Sequence, residues 1–211
     1  GGGIMFLWIN QQGTSPETAA LLSNQNFRQA LNYGFDRSAT VNAVNPGYKA
    51  YNRLVDSNFA GPDGGKFVDE YPVETVPLSG DVDKAKEYLA AAMEELGYSD
   101  VSQLPQLELI TWDTSEQKLL LETIIDQWKQ NLGLENIQLT QYVIGTAIGS
   151  FYDLSYDLFA ITWETDVLPT DIMEAMVTGG EVNYGIWSDA QFDSLVEQAI
   201  NELEPDKQAE L

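Results

Sequence analysis

The chain contains no cysteine and no histidine, and only 10 of its 211 residues are Lys or Arg. Without thiols there is no disulfide scaffold, no thiol nucleophile and no thiolate zinc site. Without imidazole there is no histidine base, which removes the Ser-His-Asp triad among others. Against those ten bases stand 33 acids, for a formal charge of −23. A surface so short of cations cannot neutralise phosphates, so nucleic acid and anionic membrane surfaces are excluded as partners. The same charge suits cationic ligands, although scattered acids also serve solubility alone. No apolar run approaches the roughly 18 residues of a membrane span. No Asp-x-Asp-x-Asp-Gly loop occurs, and the acid-rich turn Pro62-Asp63-Gly64-Gly65 lacks its spacing, so neither metal nor cofactor is expected.

What is present is an ordinary globular composition, 44% hydrophobic and 20% charged. Gly1-Gly2-Gly3 has no charged n-region and reads as a cut boundary, not a signal peptide. Glu204 to Leu211 reads as a helix begun and interrupted, so a fragment is expected. Lack of cysteine leaves the compartment open between cytosol and a disulfide-poor cell surface.

Along the chain, Ile4–Ile9 is a buried-strand candidate. Phe27, Ala30 and Leu31 share a helix face within Asn24–Tyr33, and Asp36 caps a second short helix through Val44. Residues 45–80, rich in Gly, Pro, Asp and Tyr, form a long irregular segment. Asp81 caps a helix with the stripe Val82, Ala85, Leu89, Ala92, Met93 and Leu96, ended by Gly97. Leu107–Trp112 alternates as a strand. Thr114 and Gln117 form a capping box for a helix carrying Leu120, Ile124 and Trp128, stopped at Gly133. Ile137–Val143 and Tyr156–Trp163 are further strands. A short helix opens at Thr170 or Asp171 and runs to Val177. Ser188 and Gln191 box the last helix, whose apolar face is Phe192, Leu195, Val196, Ala199, Ile200 and Leu203. Trp8, Trp128 and Trp187 are expected to pack. Strands alternating with helices predict an α/β layer architecture with a mixed, mostly parallel sheet.

The stretch Tyr156 to Asp166 runs from a buried strand into Trp163, Glu164, Thr165 and Asp166. A strand end holds a charge rigidly, and a carboxylate beside an indole suits an ammonium ion. The plainer alternative is a core strand followed by an acidic loop.

Four segments in order resemble the oligopeptide-binding proteins of ABC importers, the extracellular solute-binding family 5. Asn26-Phe27-Arg28-Gln29-Ala30-Leu31-Asn32-Tyr33-Gly34-Phe35-Asp36-Arg37 is similar to that family's VRQALNYAIDR signature. Asp83-Lys84-Ala85-Lys86 through Gly97-Tyr98, Trp128 to Gly133, and Tyr156 to Asp166 with Pro169 resemble three further segments. The resemblance implies a periplasmic-binding-protein-like lobe, with residues 1–211 as one excised second lobe of a two-lobed protein. It implies capture of an extended oligopeptide, largely through the peptide backbone, between this lobe and the missing first lobe. It also implies delivery to a membrane ABC permease, no enzymatic activity and a monomeric state. The location implied is the periplasm, or the outer face of a Gram-positive cell membrane with a lipid anchor.

By the same resemblance Asp166 holds the peptide ammonium group and Trp163 lines that place, with Glu164 and Thr165 beside it. Trp112, Asp113 and Lys118 match another ligand-facing segment, where Asp113 bonds the peptide backbone and Lys118 meets a carboxylate. Asn183 and Tyr184 reach the cleft from a Gly-rich loop. Leu168 departs from the family, which carries an acid before Pro169, and Glu164 is an added charge. Three alternatives stay open. Asp113 is equally a helix cap and Lys118 a solvated side chain. The ligand is a dipeptide, a metal chelate or an oligosaccharide stacked on Trp112, Tyr142 and Trp163. Glu164 and Asp166 form a glycosidase carboxylate pair, which their placement beside one bend disfavours.

Overall fold

The computed structural model describes residues 3–164 and 169–211. Two compact units divide the chain, Leu7–Asn52 with Val76–Ile161 in the larger, and Gly1–Phe6, Arg53–Thr75 and Thr162–Leu211 in the smaller.

Four strands, β1 (Gly3–Ile9), β2 (Leu107–Trp112), β3 (Ile137–Tyr142) and β4 (Leu158–Glu164), form one sheet in the order β1-β4-β2-β3. β2 runs parallel to β3, with Leu107 opposite Ile137 through Trp112 opposite Tyr142. It also runs parallel to β4, with Leu109 opposite Leu158. β1 lies the other way along β4. Asn10, just past its end, donates its backbone N–H to Asp157 at the start of β4, whereas Gly3 abuts Thr162 and Trp163 near its finish. The sheet is therefore mixed and mostly parallel.

In the larger unit β2 and β4 are buried on both faces. Leu107, Leu109, Leu158 and Ala160 point into a core shared with four helices, α1 (Pro16–Ser23), α2 (Gln25–Tyr33), α5 (Val82–Leu96) and α6 (Ser115–Leu132). Phe159, one residue out of phase, faces a ring cluster of Trp8, Phe151 and Tyr156, with centroids 4.9 to 5.7 Å apart. Phe151 belongs to α7 (Ile144–Tyr152), which covers that second face. Successive strand residues point to opposite faces, so a sheet covered on both sides needs apolar residues at consecutive positions.

The helices start where capping chemistry permits. Asn24, Asp36, Asp81 and Thr114 each accept a backbone N–H three residues on, opening α2, α3 (Arg37–Val44), α5 and α6. Gly97 and Gly133 close α5 and α6 in the left-handed region. α1 (Pro16–Ser23) precedes them, capped by Ser15 in a reciprocal box with Thr18. The capping box expected at Thr114 is only half made. Thr114 accepts from the Gln117 N–H at 3.2 Å, but the Gln117 side chain is buried and its Oε1 has no hydrogen-bond partner among the described residues.

The residues from Asn26 to Arg37 are largely structural. Phe27, Ala30 and Leu31 are fully buried, and the Leu31 carbonyl accepts the Trp128 indole N–H at 2.8 Å. A Cβ at Gly34 would sit 2.8 Å from Leu132 Cδ1. Arg37 lies 4.3 Å over the Phe35 ring and donates to the Asn32 carbonyl, and burial lowers its pKa.

The smaller unit holds α4 (Phe67–Glu70), α8 (Pro169–Ala175), α9 (Ala190–Asn201) and α10 (Pro205–Glu210). Residues 45–80 contain α4 and an isolated Ala60–Lys66 bridge, with the Glu70 carboxylate accepting from the Gly65 and Asp63 N–H groups. At α9 the cap is Asp189, not Ser188: its carboxylate accepts from Gln191 and Phe192, while Ser188 Oγ lies 2.9 Å from Thr178 Oγ1. α9 buries Val196 and Ala199, but Leu203 lies beyond it at 91% exposure, because the helix stops at Asn201. The short helix expected to open at Thr170 or Asp171 starts at Pro169, a residue suited to a first helical position.

Candidate ligand-binding site

Parallel strands present their carboxyl ends at one edge, the usual place for ligands in open α/β sheets. In the larger unit β2 and β3 finish together, with Trp112 opposite Tyr142 and both half-buried. The chain then turns sharply. The Asp113 N–H donates to the Tyr142 carbonyl at 2.8 Å, and Gln141 Nε2 donates to the carbonyls of Thr114 (3.1 Å) and Trp112 (3.3 Å). This pinning fixes where the Asp113 side chain leaves the backbone. Thr114 caps α6, which leaves the exposed Asp113 carboxylate with no hydrogen bond or ion pair among the described residues. Lys118, one turn into α6, is exposed and lies 3.8 Å from Glu122 in an i,i+4 ion pair. Such an exposed pair is worth only a few tenths of a kcal/mol and leaves the ammonium free to exchange partners.

Beside that turn the Tyr48 hydroxyl donates to Glu116 Oε1. This acceptor, with a smaller desolvation effect, raises the Tyr48 phenol above its ordinary range. The contact had no signal in the sequence, because the two residues lie 68 positions apart.

In the smaller unit β4 ends in Trp163 and Glu164. The Trp163 ring lies 6.5 Å from that of Tyr184, tilted at 49°. Asn183 is buried, with its Nδ2 donating to the carbonyls of Val177 (3.0 Å) and Trp187 (2.7 Å) and its Oδ1 accepting from the Trp187 N–H at 3.0 Å. Both amide hydrogens are thus committed to the loop itself. Trp187 packs edge-on against Phe192 at 4.9 Å. The structure thereby brings Trp163 and Tyr184 together and gives Asn183 a loop-shaping task. Thr165, Asp166 and the side chain of Glu164 lie outside the described residues.

Among the described residues no group of three or more acids could hold a metal ion, and no helix is long and apolar enough to cross a membrane. Two residues that composition passed over adjoin the β3 end: Val143 is 69% exposed and Ile144 65% exposed.

Residues 1–184 match the model of the bacterial extracellular solute-binding proteins, family 5 Middle. The chain belongs to this family. Among relatives, the oligopeptide-binding protein OppA of Bacillus subtilis is 28% identical over 193 residues, 90% of this chain and 34% of that protein. The dipeptide-binding protein DppE of the same organism is 26% identical over 183 residues, 86% of this chain and 32% of its own. The chain therefore spans about a third of the length of these curated relatives. In structure it resembles the substrate-binding domain of an oligopeptide ABC transporter from Bacillus anthracis, with TM-score 0.85 and 24% identity over 99% of this chain and 40% of that one. Listeria monocytogenes OppA bound to peptide gives TM-score 0.81 and 21% identity over 99% and 39%. At these identities the structural likeness establishes the fold, a periplasmic-binding-protein-like α/β architecture.

Proposed function

We propose that residues 1–211 are one lobe of a longer, two-lobed peptide-binding protein, which captures extended oligopeptides for an ABC importer. The observation that carries this reading is the family match over residues 1–184. The names of the relatives, oligopeptide- and dipeptide-binding proteins, support peptide as the ligand class. The partners are then a first lobe of the same polypeptide and a membrane permease, and the protein acts as a monomer. It works outside the cytoplasmic membrane, in the periplasm or on a lipid anchor, and catalyses no reaction. The charge of −23 favours ligands with a free, positive amino terminus.

In this reading Asp166 holds the ligand ammonium group, Trp163 and Tyr184 line its surroundings, and Glu164 and Thr165 complete the segment. Trp112, Asp113 and Lys118 meet the peptide from the carboxyl ends of β2 and β3. Asn183 acts indirectly, by shaping the loop that carries Tyr184. The test uses the full-length protein. Asp166→Asn should weaken a free-amine peptide by about 1.5–4 kcal/mol, because a desolvated charge loses its partner. The N-acetylated form of the same peptide should hardly respond. Equal losses for both peptides refute Asp166 as the anchor, and a full-length protein that binds no peptide refutes the function.

A dipeptide specificity is the second reading, favoured by relatives named dipeptide-binding proteins. Calorimetry with a length series of alanine peptides separates the two.

A further inference from the structure

We propose that Asp63-Gly64 is a modification site, where the aspartate converts spontaneously to isoaspartate, and that the conversion unlocks the loop held by Glu70. The turn Pro62-Asp63-Gly64-Gly65 has the wrong spacing for a metal and no role in the peptide-binding reading.

The step is an attack by the Gly64 backbone nitrogen on Cγ of Asp63. The carboxylate first takes up one solvent proton. A bond then forms between the Gly64 nitrogen and Cγ, and the carboxyl hydroxyl leaves with the amide hydrogen as one water. The product is a five-membered succinimide. Water adds to either ring carbonyl, and a proton returns to solvent. Opening at Cγ restores aspartate, whereas opening at the main-chain carbonyl leaves the chain running through Cγ. No oxidant, reductant or other reactant is needed. The net change is an isomerisation that inserts one methylene into the backbone.

Two conditions govern the rate, space beside the attacking nitrogen and freedom of the carboxylate. No other aspartate in the chain precedes glycine. Asp63 and Gly64 are both exposed, Gly64 has φ +86°, and a Cβ placed there meets nothing within 4 Å. The turn is therefore open where the ring must close. The Asp63 carboxylate makes no hydrogen bond or ion pair among the described residues. Asp56 and Asp193 precede serine, another small residue, but their carboxylates are engaged. Asp56 Oδ1 accepts the Asn58 N–H at 2.7 Å, and Asp193 Oδ1 accepts the Thr178 N–H at 2.9 Å. The restraint on the Gly64 nitrogen is one backbone bond, donated to the Gly61 carbonyl at 3.1 Å, in an exposed turn that opens readily.

The consequence follows from Glu70. Its carboxylate accepts the Asp63 N–H at 3.2 Å through one oxygen and the Gly65 N–H at 2.6 Å through the other. An extra methylene between those two amides spoils the bidentate grip. The Gly61 N–H bond to the Gly65 carbonyl and the Ala60–Lys66 bridge close the same loop and loosen with it.

The experiment ages the full-length protein for several weeks in neutral buffer at physiological temperature. Trypsin cuts after Arg53 and Lys66, so one peptide, Leu54–Lys66, carries both Asp63 and the Asp56 control. Electron-transfer fragmentation, which marks isoaspartate by cleavage beside its Cβ, locates the conversion. Isoaspartate should accumulate at position 63 about tenfold faster than at Asp56 or Asp193, as a modest difference in barrier allows. Ageing in heavy-oxygen water should place heavy oxygen in the converted peptide, and Asp63→Glu should abolish the conversion. Hydrogen exchange at the Gly65 and Phe67 amides should be faster in aged than in fresh protein. The site is refuted if position 63 stays aspartate, if Asp56 converts as fast, or if the isomer forms without heavy oxygen. It is refuted equally if the signal survives in Asp63→Glu. Unchanged exchange in converted protein refutes the unlocking of the loop.

Discussion

The Asp157 carboxylate accepts both the backbone N–H and the hydroxyl of Thr14, each at 2.9 Å, across 143 residues of sequence. Its second oxygen accepts the Glu108 N–H at 3.1 Å, and the side chain is 2% exposed. Beside it, Asn10 Nδ2 donates to the carbonyls of Leu154 and Tyr156. Three donors around one buried carboxylate tie the end of β1 to β2 and β4. Asp157→Ala leaves those donors without an acceptor and should destabilise the fold by about 3 kcal/mol. Thr14→Ala removes one hydroxyl donor and should cost about 1 kcal/mol. Urea unfolding at constant m-value checks both, and equal midpoints for Asp157→Ala and the parent would show that the node is not stabilising.

Trp128 is fully buried, donates to the Leu31 carbonyl and meets Phe35 edge-on at 5.9 Å. Trp128→Phe should cost about 2–3 kcal/mol, from the cavity and from the stranded carbonyl. Chemical denaturation of the two proteins side by side measures it.

Asn183→Ala and Asn183→Asp should be similarly disruptive. Each removes both amide donors to Val177 and Trp187, at an expected cost of about 2 kcal/mol to the smaller unit. Hydrogen exchange of the Trp187 and Ile186 amides should rise in both variants. A change in peptide affinity with no change in exchange would instead mean that Asn183 touches ligand.

Tyr48 offers a pH-dependent signal. Hydrogen bonding to Glu116 favours the neutral phenol, so the folded-state pKa lies above the unfolded one. The contact is therefore intact at neutral pH and is lost as pH rises through that elevated value. In an ultraviolet difference titration against Tyr48→Phe, the Tyr48 phenol should ionise later than free tyrosine. Glu116→Gln removes the negative acceptor and should bring the ionisation earlier. An unaltered titration in that variant would assign the shift elsewhere.

Gly97 and Gly13 both have positive φ, +77° and +55°, but differ in their surroundings. A Cβ at Gly97 meets nothing within 4 Å, so Gly97→Ala carries only the conformational cost, about 1 kcal/mol. At Gly13 it would sit 2.4 Å from Thr18 Oγ1 and 2.6 Å from the Ala19 N. Gly13→Ala should therefore lower the melting temperature distinctly more.

Where structure follows from neighbours in sequence, it was legible. The bounds of α5 and α6 match the caps at Asp81 and Thr114 and the glycines at 97 and 133, because capping and left-handed closure are decided within a few residues. α1 was missed although Ser15-Pro16 signals a helix start, and α7 was missed because it has no cap and two glycines interrupt its pattern. The Ser188 box failed by one residue, since Asp189 offers a better acceptor to the same amides. The position of β1 beside β4 could not be read, because strand order depends on distant pairing and not on local composition. At the candidate site, Trp163 with Tyr184 and the Trp112–Asp113 turn were singled out by strand ends followed by aromatic or acidic residues. Val143 and Ile144 were not, because an apolar pair after a strand looks the same whether it is buried or open to solvent.

β1 sits next to β4, the last of the four strands in sequence, and the Asn10–Tyr156 bond spans 146 residues. At bacterial synthesis speeds that interval is roughly ten to thirty seconds. Throughout it β1 lacks its sheet neighbour β4, and long-range closure is intrinsically slow even once both strands are made. A mutation that weakens the β1–β4 seam should therefore show first as poor yield of folded protein.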